Sequence, residues 1–78
     1  MKNILETIIK HLVDNQEAIE IIETAKNEKE VLIQVKVAKD DMGKVIGRQG
    51  KIAKSIRTVM KSVGAKERKK VKVEFVED

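Results

Sequence analysis

An alternating run of aliphatic residues near the middle of the chain constrains the fold most strongly. Residues 31–38 read VLIQVKVA, and Val31, Ile33, Val35 and Val37 occupy every second position. Side chains in a β-strand point alternately to the two faces of the sheet, so this pattern predicts a strand with one face against a core. The strand must therefore be paired at its edges and covered on one side.

Periodic patterns on either side of this strand predict five more elements. Aliphatic residues at helical spacing indicate a first helix over roughly residues 3–14, and residues 18–26 form a β-branched run. Two helices are expected between residues 40 and 64, with Asp40 or Asp41 as a cap and Gly64 as the stop. The second of these carries an apolar stripe made of Ile52, Ile56, Val59 and Val63, and a third strand follows at residues 71–76.

The resulting order, αββααβ, restricts the topology. The first two strands are close enough in sequence for an antiparallel hairpin, whereas the second and third are joined by two helices and can lie parallel through a right-handed crossover. We therefore expect a two-layer α+β domain with a three-stranded mixed sheet, three helices on one face and the other face open. At 78 residues, the chain is expected to form one domain over residues 1–78.

Composition excludes several classes of protein. The chain has no cysteine, which rules out disulfides and thiolate metal sites, and its apolar runs are too short for a membrane span or signal peptide. We expect a cytoplasmic protein. His11 is the only histidine, and adjacent Asp40 and Asp41 are more typical of a helix cap than of a catalytic pair. The sequence therefore predicts no enzyme activity, no metal and no cofactor.

Positive charge is concentrated in the middle of the chain. Residues 31–70 contain twelve Lys and Arg against three acidic residues, a net charge of +9, whereas residues 1–30 and 71–78 carry −3 and −2. Clustered positive charge attracts a polyanion more strongly than the same charge spread evenly. A solvated lysine-rich surface is the alternative interpretation.

Two glycines lie inside this basic stretch, in the sequence VIGRQGKI at residues 45–52. Glycine allows close approach of a ligand and backbone angles closed to other residues, and the following helix begins with unpaired N–H groups at its positive end. Arg48 and Gln49 add side-chain donors between the glycines. A phosphate group fits such a loop, although glycines can also serve an ordinary helix–helix turn. A Walker A loop and a dinucleotide-binding loop would each need a glycine at position 45, where this chain has valine, so the sequence excludes both kinds of phosphate-binding loop.

At these residues the chain resembles the KH domains, whose mark is an aliphatic-Gly-x-x-Gly loop between two helices, and its element order is similar to the type II arrangement. The resemblance implies that single-stranded RNA of about four nucleotides lies in a groove, with the loop against its backbone and its bases on an aliphatic floor. On this basis the predicted RNA-binding residues are Lys44, Val45, Ile46, Gly47, Arg48, Gln49, Gly50, Lys51, Ile52 and Lys54.

The chain is also similar to small bacterial proteins that consist of a single KH domain. This resemblance implies self-association as a homodimer and a heteromer with a larger KH-containing RNA-binding protein. It further implies a role as a post-transcriptional regulator or RNA chaperone, connected with cell shape and cell-wall biogenesis. An alternative from another functional class is a protein-assembly module whose partner makes most of the RNA contacts.

Overall fold

A computed structural model describes residues 1–76 of the chain. Within this range the α-helices are α1 (Lys2–Leu12), α2 (Met42–Ile46) and α3 (Lys51–Lys66), and the strands are β1 (Glu20–Ala25), β2 (Glu30–Lys36) and β3 (Lys70–Val76). Single 3-10 turns lie in the connections at Gln16–Ala18, Lys39–Asp41 and Arg48–Gly50. This order confirms the predicted αββααβ arrangement. The first helix is shorter than expected, because the backbone becomes extended at Val13. Among the described residues, no helix has both the length and the apolar character that a membrane crossing needs.

The described strands form one mixed sheet in the order β1-β2-β3. Strands β1 and β2 are antiparallel and pair Ile21 with Val35, whereas β2 and β3 are parallel and pair Val35 with Phe75. The parallel pair requires the chain to cross over between β2 and β3, and α2 and α3 form that crossover. The predicted topology is confirmed, with the alternating strand at its centre.

The hydrophobic core lies between the sheet and the helices. The alternating residues of β2 and its extension are nearly inaccessible, from 0% exposure at Ile33 to 5% at Val31. Leu5 and Ile9 of α1 and Met60 of α3 are fully buried against them. On the opposite face of the described sheet, Ile22 remains 54% exposed. The helices therefore cover one face only, as expected for a two-layer α+β domain.

The buried face of α3 differs from the predicted stripe. Its buried residues are Ala53, Ile56, Met60 and Gly64, whereas Val59, which the sequence places in the stripe, is 44% exposed. The two stripes share Ile56 and are otherwise offset by one residue, about 100° around a helix of 3.6 residues per turn. The long, unbranched Met60 fills the core where the pattern predicts Val59.

Gly64 does not end α3, as the sequence predicts, because the helix continues to Lys66. Gly64 is buried at the point where the chain turns back into β3. A Cβ atom at this position would lie 2.5 Å from Val71 Cγ2 and 2.7 Å from the carbonyl oxygen of Lys69. The glycine therefore allows close packing between the end of α3 and the start of β3.

Candidate nucleic-acid interface

The loop between α2 and α3, residues 47–50 and here called the GRQG loop, has three residues with positive φ. Gly47 has φ 77° and ψ 174°, a combination that is essentially restricted to glycine. Gln49 has φ 58° and Gly50 has φ 73°, both in the left-handed helical region. The two glycines are thus needed for different reasons, the first for a conformation closed to other residues and the second for one that is merely unfavourable.

The side chain of Ile52 packs directly over Gly47. A Cβ atom on Gly47 would lie 2.6 Å from Ile52 Cγ1 and 2.9 Å from Ile52 Cδ1. By contrast, a Cβ atom on Gly50 would meet nothing within 4 Å. The entry to the loop is therefore closely packed and its exit is open.

Exposed polar side chains surround the open end of the loop. Arg48 and Gln49 are exposed, and so are Lys51 and Lys54 on the first turn of α3. Within the described chain no side chain caps the N-terminus of α3, whose N-cap residue is Gly50. The N–H groups of Gly50 and Lys51 donate to the carbonyl oxygens of Gly47 and Arg48. The positive end of the α3 dipole and the neighbouring cations thus form a positively charged surface beside the loop.

The predicted aliphatic floor is only partly accessible. Val45 is fully buried at 0% exposure and packs in the core, so its side chain is not open to a ligand. Ile46 and Ile52 are partly buried and pack against that core from either side of the loop. Of the predicted floor residues, Ile46 and Ile52 therefore remain partly accessible beside the GRQG loop, whereas Val45 belongs to the core.

The buried carboxylate of Asp41 connects the chain before β1 with the start of α2. It accepts hydrogen bonds from the backbone N–H groups of Asn15, at 2.9 Å, and Asp14, at 3.2 Å. Asp41 is the N-cap residue of α2, as predicted, but within residues 1–76 its side chain makes no capping hydrogen bond to that helix. The hydrogen bond from Asn15 lowers the pKa of Asp41 most, while burial acts in the opposite direction.

Lys44 differs from the other lysines near the loop because its ammonium group already has partners. It forms ion pairs with Asp14 and, at 3.4 Å, with Asp41. The hydrogen bond to Asp14 raises the pKa of Lys44 most. Lys44 therefore links α2 to the segment that follows α1 through ion pairs that are partly exposed to solvent.

Sequence reasoning did not identify Asp14 and Arg57 as residues that organise this region, and it gave Asp41 only the role of a helix cap. Asp14 and Asp41 are 27 positions apart, and no local pattern predicts their contact. Arg57 donates from Nε to the carbonyl oxygen of Val73 at 3.2 Å, and its guanidinium carbon lies 5.5 Å from the ring centre of Phe75. Its position one turn beyond Lys54 on a basic helix is the one signal that points to it.

In the described part of the chain no group of three or more His, Cys, Asp or Glu residues is placed to hold a metal ion.

Comparison with known proteins identifies the family. The sequence profile described as "KhpA/KhpB, KH domain" matches residues 2–75, which include the GRQG loop and all helices and strands except the last residue of β3. The chain belongs to the KhpA/KhpB KH-domain family. The structure agrees with this assignment, since a Gly-x-x-Gly loop joins two helices in a type II arrangement.

Relatives in this family match over nearly their whole length. The RNA-binding protein KhpA of Clostridium acetobutylicum is 50% identical over 76 residues, which is 97% of this chain and 100% of the relative. The RNA-binding protein KhpA of Listeria monocytogenes is 40% identical over 77 residues, 99% of this chain and 100% of the relative. The protein of that name from Aquifex aeolicus is 40% identical over 99% of this chain and 96% of its own. No solved structure matches the chain significantly.

Proposed function

We propose that this protein binds short single-stranded RNA, with the GRQG loop against the RNA backbone and Ile46 and Ile52 beneath the bases. The observation that carries the proposal is the loop itself, in which two glycines hold an exposed Arg-Gln tip beside a helix N-terminus that lacks a side-chain cap within residues 1–76. Relatives that are 40–50% identical carry the name RNA-binding protein. A phosphate at this position would meet the positive end of the α3 dipole and the cations of Arg48, Lys51 and Lys54.

Lys44 and Val45 contribute to this site indirectly in our proposal. The ammonium group of Lys44 is held by two carboxylates, and the side chain of Val45 is in the core. The buried Val45 fixes the position of α2, with the ion pairs of Lys44 as a weaker tie, and so sets the direction in which the chain enters the GRQG loop. The phosphate contacts then belong to Arg48, Lys51 and Lys54.

The test replaces the tip of the loop and leaves its glycines in place. In Arg48→Asp/Gln49→Asp the local charge changes by −3, which adds repulsion where the phosphate would lie. Aspartate tolerates the left-handed backbone of residue 49 better than most residues, so the fold should be retained. We expect the affinity for a single-stranded oligonucleotide, measured by fluorescence anisotropy, to fall at least tenfold.

A matched control changes charge by the same amount elsewhere. Lys2→Asp/Asn3→Asp replaces the same kinds of side chain, a cation and a neutral residue, at two exposed positions in the first turn of α1. Its affinity should stay within about twofold to threefold of the unsubstituted protein, because these residues lie at the start of α1, whereas the hydrogen bonds to the start of α2 lie beyond the other end of that helix. Equal losses in the two variants would show that diffuse charge, and not the GRQG loop, binds the RNA.

We further propose that the protein acts with others, as a homodimer and in a heteromer with a larger KH-containing RNA-binding protein, in post-transcriptional regulation or as an RNA chaperone. One domain offers a single short groove, so linking two sites would raise the overall affinity. Exposed aliphatic side chains, such as Val59 on α3 at 44% exposure and Ile22 on the open sheet face at 54%, are available for such contacts. Sedimentation of the isolated chain, with and without RNA, tests whether it self-associates.

A further inference from the structure

The two edges of the sheet differ in how they are protected from pairing with another strand. At the β3 edge, Arg57 of α3 donates from Nε to the carbonyl oxygen of Val73, and Lys70 and Lys72 precede this residue along the strand. Cover from a neighbouring helix and charged side chains such as lysine are both devices that block a sheet edge. Strand β1 lies at the opposite edge and pairs with β2 on one side, so within residues 1–76 its outer backbone edge is open to another strand.

A groove runs along the open edge of β1, between this strand and α1, and we call it the β1 groove. Its lining includes Ile21 on the strand and Lys2, Glu6 and Lys10 on α1. Lys10 is paired with Glu6 at 3.7 Å, whereas Lys2 forms no ion pair with any residue from 1 to 76. The groove therefore offers one unpaired cation beside the open backbone edge.

The side chains of β1 suit pairing with a second copy of the same strand. The register with β2 places Ile22 on the open face of the sheet, where it is 54% exposed, and places Glu23 on the same face as the buried Ile21. When two copies of β1 pair antiparallel about a two-fold axis through Ile22, each Ile22 lies beside its counterpart and Glu20 lies opposite Thr24. In the same register, Glu23 of one copy lies opposite Ile21 of the other.

Charge favours this register and this part of the surface. An inward-facing carboxylate on an edge strand usually deters pairing, but here Glu23 of each copy enters the β1 groove of the other, which holds Lys2. An axis through Glu23 would instead place two carboxylates directly opposite each other, which is unfavourable. Residues 1–30, which include α1 and β1, carry a net charge of −3, whereas two copies that met through residues 31–70 would each bring +9 to the contact.

We propose that this protein forms a homodimer by antiparallel pairing of β1 with β1 of a second copy, which joins the two sheets into one of six strands. This inference rests on the self-association put forward under the proposed function, and it adds the interface and its register. Helix α3, which begins at the GRQG loop, packs on β3 at the other edge of the sheet, so both loops stay clear of the contact. Each copy contributes one six-residue strand, so we expect weak, concentration-dependent association.

Three variants that each change one exposed aliphatic residue to lysine locate the interface. Ile22→Lys places like charges beside the proposed axis, Val76→Lys changes the same open face at the β3 edge, and Val59→Lys changes α3. In sedimentation equilibrium we expect Ile22→Lys to weaken self-association about tenfold and the other two variants to weaken it less than twofold. The inference is overturned by an unsubstituted protein that stays monomeric, by a loss in Val59→Lys without one in Ile22→Lys, or by equal losses in all three variants.

An exchange of charges tests the register. Glu23→Lys should weaken association because the introduced lysine meets Lys2, and Lys2→Glu should weaken it because the introduced carboxylate meets Glu23. In a mixture of these two variants each groove again meets the opposite charge, so we expect the mixture to associate as the unsubstituted protein does. A mixture that associates no better than either variant alone would refute the interface. Thermal unfolding checks each variant, and Glu23→Lys takes the place of Ile22→Lys should the latter be destabilised.

RNA binding is measured separately, so that the interface and the proposed function can fail independently. A five-nucleotide RNA occupies one loop, so Ile22→Lys should bind it as the unsubstituted protein does, while Arg48→Asp/Gln49→Asp should lose the RNA and keep its self-association. If the loop variant binds RNA normally, the proposed function fails and the interface can still stand. If Ile22→Lys associates normally, the interface fails whatever the loop variant shows.

Discussion

Ile52 lies so close to Gly47 that a single added methyl group at Gly47 would be 2.6 Å from Ile52 Cγ1. The same glycine has φ 77° and ψ 174°, which other residues rarely adopt. Steric crowding and backbone conformation therefore both require glycine at this position. At Gly50, with open space around the missing Cβ, only the backbone conformation favours glycine.

The two loop glycines should respond differently to alanine. We expect Gly47→Ala to lower the free energy of unfolding by about 2–4 kcal/mol, from backbone strain and overpacking combined. Gly50→Ala should cost about 1 kcal/mol, and Gly50→Asn less, since asparagine tolerates the left-handed region. Urea denaturation measures all three. Adding Ile52→Ala to Gly47→Ala relieves the clash, so the double variant should lose less than the sum of its single changes; strict additivity would mean that Ile52 is not the obstacle.

Gly64 and Gly43 are helical glycines for which we expect substitution by alanine to change stability in opposite directions. Alanine is favoured over glycine inside a helix by up to about 1 kcal/mol, so propensity alone predicts that both substitutions stabilise the protein. At Gly64 a Cβ atom would lie 2.7 Å from the carbonyl oxygen of Lys69, whereas at Gly43 it would meet nothing within 4 Å. We expect Gly64→Ala to destabilise by about 1–3 kcal/mol and Gly43→Ala to stabilise by about 0.4–1 kcal/mol. Melting temperatures that rise in both variants would contradict the close packing of α3 on β3.

Structural features that depend on a regular spacing of residues within one segment were predictable from the sequence. The alternation around Ile33 predicted the central strand, and the short hairpin and long crossover on either side of it fixed the mixed sheet. Likewise, the spacing of Gly47 and Gly50 predicted a loop with unusual backbone angles.

Features that depend on how elements pack were not predictable in this way. The apolar residues of α3 fit two neighbouring stripes, and only the sheet beneath decides that Met60 is buried and Val59 exposed. The sequence predicts that Gly64 ends the helix, because the residue that explains this glycine, Val71, packs against it from the next strand and no local pattern reveals that contact. Asp41 stands at the N-cap position of α2, as the sequence predicts, but the N–H groups that its carboxylate binds belong to residues 26 and 27 positions earlier in the chain, which no local pattern indicates.

Salt dependence tests whether phosphate contacts dominate recognition at the GRQG loop. For a single-stranded ligand, log affinity falls with log salt concentration with a slope of about −0.7 per phosphate neutralised. Three or four contacts, from the loop and the first turn of α3, predict a slope of about −2 to −3 for a five-nucleotide RNA. Affinity that does not change with salt would contradict phosphate recognition and place the binding energy in base contacts.

Protonation of Asp41 should release the contact between the end of α1 and the start of α2. The hydrogen bond from Asn15 lowers the pKa of Asp41 below its ordinary value of 3.8. A carboxylate with a lowered pKa in the folded state stabilises the protein fully above the unfolded pKa, and that stabilisation is lost as pH falls below 3.8 through the folded pKa. Asp41→Asn removes the charge at every pH and presents an amide group to the N–H donors of Asp14 and Asn15 and to the Lys44 ammonium. We therefore expect the variant to melt several degrees lower at pH 7, with a difference that shrinks below pH 3.8, and to bind RNA more weakly because α2 is held less firmly.

Asp40→Asn is the control, because Asp40 is an exposed neighbour and should leave both the melting curve and RNA binding unchanged. A constant difference between Asp41→Asn and the unsubstituted protein down to pH 2.5 would mean that the charge of Asp41 does not stabilise the fold.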